Sequence, residues 1–294
     1  MATIKGIVIG LLAGFYDVQT SQGIIRSRAR GVFRQKNQKP CVGDWVKVVV
    51  NSQGINYLVE VLPRKNRLGR PAVANVSHVL LVISAAQPEF SVSLLDRFLT
   101  YFAWQHVAVG VYLSKRDLCS PEQQQKINQS LKAYHIIGYP IFNGATQIKE
   151  ALKQTPSQIW TLAGQSGVGK STLLNQLKDN ANQKTGSVSG HLSHGKQTTR
   201  QVQLFAVNSA FIADTPGFSA IDLTSIRLKV LSTCFLEFQT FAVQCRFRGC
   251  QHLQEPGCAV KAAVKTGDIM PSRYESYKIQ RLEIENGRLP EYRK

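Results

Sequence analysis

The chain reads as three consecutive domains: a small all-β barrel over residues 1–71, an α/β domain with a mostly parallel sheet over 72–223, and a helical, cysteine-bearing domain over 224–294. Three observations predict this. The first seventy residues or so hold short β-rich runs set apart by Gly, Asn and Pro. From residue 76 continuous apolar runs alternate with helically spaced ones, the texture of strands covered on both faces by helices. Near the end, three cysteines and one histidine crowd into the fourteen residues from Cys245 to Cys258.

The barrel runs are "KGIVIGLLAGFYDVQT", "GIIRSRARGVF", "VGDWVKVVV" and "INYLVEVL". The first could pass for a signal peptide, but Gly6, Gly10 and Gly14 interrupt it and no small-residue cleavage site follows. Its alternation fits strands better. Arg26, Arg28 and Arg30 alternate, so a strand there puts all three on one face. Arg34, Lys36 and Lys39 follow, then Arg64, Lys65, Arg67 and Arg70. A small barrel with a basic face resembles an oligonucleotide-binding fold, although a merely solvated face fits these residues equally well. The whole chain has the same bias: 36 Lys and Arg against 18 Asp and Glu give a net charge of +18, which favours a polyanionic partner, nucleic acid or an anionic membrane surface. No run approaches the roughly 18 apolar residues of a membrane span, so a membrane protein is not expected.

In the second domain "VSHVLLVISA" and "VAVGVYLS" read as buried strands, and "LLDRFLTYFAWQ" and "PEQQQKINQSLKAYH" as helices, the latter with Pro121 near its start. "IIGYPIFN", "IKEALKQ", "IWTLAG", "KSTLLNQLK", "QVQLFAV" and "AFIAD" continue the alternation. Between strand "IWTLA" and helix "STLLNQL" stands "GQSGVGKST", which matches G-x-x-x-x-G-K-[ST] in the strand–loop–helix context that gives the pattern meaning. Gly164, Gln165, Ser166, Gly167, Val168, Gly169, Lys170, Ser171 and Thr172 make up this nucleotide-binding segment. Its glycines free the backbone to turn N–H groups onto phosphate oxygens, and the helix N-terminus adds positive charge. Lys170 is expected to reach the β- and γ-phosphates, and the Ser171 hydroxyl to bind Mg²⁺. Downstream, Asp214-Thr215-Pro216-Gly217 ends an apolar strand. Asp214 can hold the Mg²⁺ shell and the Gly217 N–H can meet the γ-phosphate. Thr198 and Thr199, in a polar segment between the two motifs, would complete those contacts and release them on hydrolysis.

Upstream, Ser114-Lys115-Arg116-Asp117 follows a buried strand. A carboxylate at 117 can accept hydrogen bonds from guanine N1–H and its exocyclic amine, a pair that adenine lacks. The stem of Lys115 would lie along the rings and hold the loop. An ordinary GTPase has its phosphate loop before its base loop, and here the order is reversed. The termini of such domains lie close together, so joining them and opening the chain elsewhere leaves the core intact. The order therefore describes a circular permutation. Cys245, Cys250, His252 and Cys258 offer three thiolates and an imidazole, a donor set that suits a closed zinc site, although the spacing is not one of the common two-plus-two finger patterns and a set of buried free thiols is the alternative. Clustered rather than paired cysteines point to a reducing compartment. Arg246, Arg248, Lys261 and Lys265 place positive charge around them, and "MPSRYESYKIQRLEIE" reads as a terminal helix starting near Pro271 and docking on the zinc module or on RNA.

Taken in order, "SKRD", "GQSGVGKST", "GKQTT", "DTPG" and "CRFRGCQHLQEPGC", behind a barrel carrying "VGDWV", resemble the circularly permuted bacterial GTPases that depend on the small ribosomal subunit. The resemblance spans nearly the whole chain. It implies a cytoplasmic, monomeric protein that binds GTP or GDP with Mg²⁺, carries one Zn²⁺ and binds the small subunit and its rRNA late in assembly. It also implies subunit-stimulated hydrolysis of GTP to GDP and phosphate. Two departures stand out. Ser114 replaces the usual Asn and gives up an amide that would contact the base and brace the phosphate loop. Gln197 replaces a His before Thr198-Thr199, which makes Thr199 the Mg²⁺-linked residue of the pair. Since Phe218 stands where Ras-like proteins have a water-orienting Gln, Lys170, Gln197 and Thr199 are the expected catalytic set and unaided hydrolysis should be slow. Two rival readings remain at this level: an NTP-using enzyme acting on a small molecule, and an RNA-binding scaffold with a vestigial nucleotide site.

Overall fold

The structure, a computed structural model, describes residues 3–31, 33, 39–51, 54–69, 72–178, 202–218 (215–218 by backbone alone) and 221–287. Its strands are β1 (Thr3–Leu12), β2 (Phe15–Thr20), β3 (Gly23–Ala29), β4 (Trp45–Val49), β5 (Asn56–Val61), β6 (Arg67–Leu68), β7 (Val73–Ala74), β8 (Val76–Ser84), β9 (Ala108–Ser114), β10 (Ile141–Phe142), β11 (Ile159–Ala163), β12 (Gln203–Val207) and β13 (Ala210–Phe218). The helices are α1 (Val92–Trp104), α2 (Pro121–Ile137), α3 (Ala145–Lys153), α4 (Lys170–Lys178), α5 (Leu228–Leu231), α6 (Leu236–Ala242), α7 (Ala259–Thr266) and α8 (Pro271–Asn286). They gather into two compact units that interleave along the chain: Met1–Val79 with Gly144–Ala163 and Lys170–Phe218, and Leu80–Asn143 with Gly164–Gly169 and Ser219–Lys294.

The first unit opens with the barrel. β1 pairs antiparallel with β2, β2 with β3, and β4 with both β5 and β1, while β3 and β5 run parallel, so the strand order 1-2-3-5-4 closes on itself. Closure leaves no free edge among these strands. Alternation along them sends Val8, Val18, Val46, Val48 and Leu58 inward to full burial. The same alternation leaves Arg26, Arg28 and Arg30 exposed on one face, with Ser27 buried between them, as the sequence predicts. Not all of that charge is free. Arg26 forms a two-point ion pair with Asp17 at 2.8 and 2.9 Å, and Arg64 spends its guanidinium on the fully buried Asp44 at 2.6 and 2.7 Å. Asp44 also accepts from the Cys41 N–H at 2.7 Å, which is the structural use of the "VGDWV" stretch. Elsewhere in this unit β11 and β13 run parallel, β12 runs antiparallel to β13, and Gly10 of β1 pairs with Gln203 of β12.

In the second unit β10, β9 and β8 lie side by side, β10 parallel to β9. Helix α1 begins at Ser91, whose hydroxyl accepts from the Leu94 N–H at 3.2 Å. Leu95, Phe98, Leu99 and Phe102 are buried, and so are Asp96, Arg97 and Thr100, which makes α1 a helix buried well beyond its apolar stripe. Helix α2 starts with a Ser120/Gln123 capping box and Pro121 in its first turn. It runs on through Ile136 and Ile137, which the sequence places in the following strand. Gly138, at φ +116°, is where the chain first leaves the helix, and only Ile141–Phe142 remain as strand. The terminal helix α8 docks on the cysteine-bearing loop: Tyr274 and Tyr277 donate to the carbonyls of His252 and Gln251, both at 2.6 Å. Among the described residues no helix is long and apolar enough to cross a membrane.

Candidate functional site

Within the second unit the phosphate-loop arc and the base loop lie against each other. Gly164 has φ +135°, and a Cβ there would stand 2.1 Å from the Val82 carbonyl oxygen, so no other residue fits. Gly167 and Gly169 also have positive φ, +80° and +93°. β9 ends at Ser114, which is only 8% exposed, and Lys115 follows at φ +53°. A left-handed lysine is uncommon and marks a backbone shape held by its surroundings. Its ammonium donates to the carbonyl of Gln87. Asp117 sits exposed on the 3₁₀ turn Arg116–Leu118, where its carboxylate can meet a base from solvent.

Ser114 is where the structure corrects the sequence reading. Its hydroxyl lies 2.6 Å from the Val168 carbonyl in the phosphate loop and 3.1 Å from the Ile83 carbonyl at the end of β8. One proton serves the shorter contact. The brace expected to vanish with the Asn amide is therefore kept, made by a shorter group. Ser114→Ala removes it and should weaken guanine-nucleotide binding by about 0.5–1.5 kcal/mol, roughly two- to twelvefold, with the GTP-over-ATP ratio unchanged. Ser114→Asn should tighten GTP by no more than roughly tenfold, since the hydroxyl already makes the Val168 contact and an amide adds at most one further hydrogen bond. Titration with a fluorescent guanine nucleotide checks both.

The first unit holds the other predicted residues. Lys170 and Ser171 open α4, and burial lowers the Lys170 pKa from its usual value, a cost that an anionic phosphate would offset. Asp214, in β13, pairs with Lys178 from the far end of α4 at 3.1 Å. The Lys178 ammonium also lies 3.4 Å from the centre of the Phe205 ring. Sequence reasoning missed this lysine. In this arrangement the Asp214 carboxylate is engaged by Lys178, at the opposite end of α4 from Ser171. Gly217 lies on the β13 backbone. Gln197, Thr198 and Thr199 fall outside the described residues.

The cysteine cluster is assembled in the second unit. One ligand atom from each of Cys245, Cys250, His252 and Cys258 lies within 4.8 Å of all the others. His252 Nδ1 is 3.6 Å from Cys245 Sγ and 3.4 Å from Cys258 Sγ, and those two sulfurs are 4.0 Å apart. A zinc tetrahedron with ordinary bond lengths has S–N edges of about 3.6 Å and S–S edges of about 3.8 Å. Burial, with the neighbouring Cys258 and Cys245, pushes the Cys250 thiol up to about 12. Three thiols this close become thiolates only around a cation. Burial also lowers His252, keeping the imidazole neutral as a ligand must be.

Comparison with known proteins agrees with this geometry. The sequence profile of the RsgA GTPase family matches residues 61–224, and that of the RsgA N-terminal domain matches residues 5–58. The small ribosomal subunit biogenesis GTPase RsgA of Lactobacillus acidophilus is 57% identical over 296 residues, covering all of both chains. Its counterpart in Geobacillus thermodenitrificans is 42% identical, covering 93% of this chain and 94% of that one. Among solved structures, YloQ, a circularly permuted GTPase, aligns with a TM-score of 0.83 at 33% identity, covering 98% of this chain and 97% of that one. YjeQ from Thermotoga maritima gives 0.82 at 33% identity, covering 96% and 99%. With a five-stranded barrel, a nucleotide-binding domain whose base loop precedes its phosphate loop, and a terminal Cys₃His cluster, the chain belongs to the RsgA family of circularly permuted GTPases.

Proposed function

We propose that this GTPase binds the small ribosomal subunit through its barrel and its zinc module, acts in the late maturation of that subunit, and leaves it after hydrolysing GTP to GDP and phosphate. The observation that carries the nucleotide half is the Ser114–Val168 hydrogen bond, which fixes the loop bearing Asp117 to the loop that cradles phosphate. The domain division at 1–71, 72–223 and 224–294 belongs to the same reading. So does a resident set of one Zn²⁺ on Cys245, Cys250, His252 and Cys258, and Mg²⁺ on Ser171, Thr199 and Asp214. That Mg²⁺ would supply charge neutralisation at the phosphates. Lys170 holds the β- and γ-phosphate oxygens, the N–H groups of Gly164 to Gly169 and of Gly217 orient the phosphates, and Gln197 positions the attacking water on the small subunit. Catalysis of this kind is placement and charge neutralisation, not covalent chemistry by the protein.

Base identity rests on Asp117, and exchange for asparagine tests it. An amide at 117 can accept from the N1–H of xanthine and donate to its 2-carbonyl, while it loses the charged contact to guanine's amine. Asp117→Asn should weaken GTP binding by about 1.5–3 kcal/mol, roughly 10- to 150-fold, and bring XTP above GTP. Competition titrations with GTP, XTP and ATP read the result. An unchanged order of preference would remove Asp117 from the base site.

A further inference from the structure

We propose that the loop Arg246–Phe247–Arg248 of the zinc module is a stacking platform for an unpaired RNA base, with its two guanidinium groups holding the flanking phosphates. The inference rests on the reading above, in which the module meets rRNA, and names the chemistry by which it does so. The module already has an aromatic core: Phe235 and Phe238 are buried and stack at 5.0 Å, with Tyr277 against both at 5.5 and 5.2 Å. Phe247 is left out of it, 46% exposed. Leaving so large an apolar ring in water has a cost that a partner's surface would recover.

The loop is held in place before any partner arrives. Its flanks are two cluster ligands, Cys245 and Cys250. The Arg246 N–H donates to the Gly257 carbonyl at 3.1 Å, and the Cys250 N–H donates to the Phe247 carbonyl at 3.3 Å. A ring presented on a fixed loop loses little conformational freedom on binding. The Arg246 guanidinium stands 5.5 Å from the centre of the Phe247 ring. Neither Arg246 nor Arg248 has a carboxylate partner among the described residues. Glu255 is the sole acidic residue between the first and last cluster cysteines. Its carboxylate turns inward, accepting from the N–H groups of Gln251 and Leu253 at 2.8 Å each. The loop thus offers a half-exposed aromatic ring with Arg246 beside it and Arg248 next in sequence, neither arginine paired to a carboxylate among the described residues. Phosphate with an exposed base answers both features, whereas an apolar protein pocket answers only the ring.

The test measures binding of the zinc-loaded full chain to purified small subunits over a range of salt concentrations. Phe247→Ala should weaken binding roughly tenfold and leave the slope of log affinity against log salt unchanged. Phe247→Leu keeps apolar area without a π-face and should bind like the Ala variant, while Phe247→Trp should bind as well as wild type or better. Arg246→Gln with Arg248→Gln should lower the magnitude of the slope by about 0.7 for each phosphate left unneutralised. Zinc content and basal GTP hydrolysis should stay at wild-type values in all of these. Should Phe247→Ala disturb the zinc, the Leu and Trp pair still decides. Wild-type affinity in Phe247→Leu would assign the ring to a protein pocket and overturn the proposal, as would wild-type affinity in Phe247→Ala. Wild-type protein that does not bind small subunits at all would overturn the parent reading as well.

Discussion

Replacing Arg273 with methionine should destabilise the C-terminal part of the chain by about 3–5 kcal/mol, the cost of leaving buried carboxylates without their counter-ion. Arg273 is fully buried on α8. It donates to Glu237 of α6 at 2.6 and 3.1 Å and to Asp96 of α1 at 2.7 Å, and its guanidinium lies 4.5 Å from the Phe235 ring. Tyr134 of α2 adds a hydrogen bond to the same Asp96 oxygen. Beside this cluster, Arg97 of α1 grips Glu283 of α8 and the Ile221 carbonyl. One arginine therefore ties the helix that follows β8 to the helices around the Cys₃His cluster.

That cluster sets geometry more than it adds stability. Burial raises the Asp96 pKa, and the Arg273 charge only partly pulls it back. A group whose folded pKa is raised contributes stability below its unfolded pKa and loses it as pH rises through the folded value. Stability from this carboxyl is therefore greatest at low pH and is lost as pH rises through its raised folded value, so burial works against its charged form. The triple variant Asp96→Asn, Glu237→Gln, Arg273→Met should accordingly recover most of what Arg273→Met loses. Urea unfolding, followed by zinc release as a local reporter, distinguishes the two. Equal destabilisation of single and triple variants would contradict the charge argument.

Removing the metal should have the largest effect of all. Structural zinc sites bind with apparent free energies of about 10–16 kcal/mol, and that energy is folding energy for the segment that supplies the ligands. Cys250→Ala deletes a buried ligand and should abolish stoichiometric zinc, loosening the segment from Cys245 to Cys258. Tyr274 and Tyr277 hold that segment through the carbonyls of His252 and Gln251, so α8 should lose protection from hydrogen exchange with it. The barrel and the phosphate loop should keep theirs. Metal analysis of freshly reduced wild-type protein should give one zinc per chain, and finding none would remove the claim.

Local features were the legible ones. The phosphate loop announces itself because glycine spacing, a preceding strand and a following helix all fall within a short stretch of chain. The cluster ligands lie within fourteen residues. Arginine alternation placed a basic face on β3, but the Asp17 and Asp44 partners that neutralise part of the barrel's charge come from other strands and loops. Arg273 was invisible for the same reason. In "MPSRYESYK" it reads as one more solvated charge, since Glu237 stands 36 positions away and Asp96 177. Lys178 looks like an ordinary basic end to α4 until β13 brings Asp214 beside it. Ser114 read as a loss because the motif is defined by its amide. Only the distance to Val168 shows that a hydroxyl closes the same gap.

The most direct test is GTP hydrolysis by the full chain with and without purified small ribosomal subunits, with ATP and large subunits as controls. GTP turnover should be slow alone, because Phe218 replaces the water-orienting glutamine, and should rise more than roughly tenfold with small subunits. For comparison, groups supplied in trans to other GTPases give ~10³–10⁵-fold. Large subunits should not stimulate it, and ATP should not be turned over. Hydrolysis indifferent to small subunits, or equal for ATP and GTP, would contradict the account.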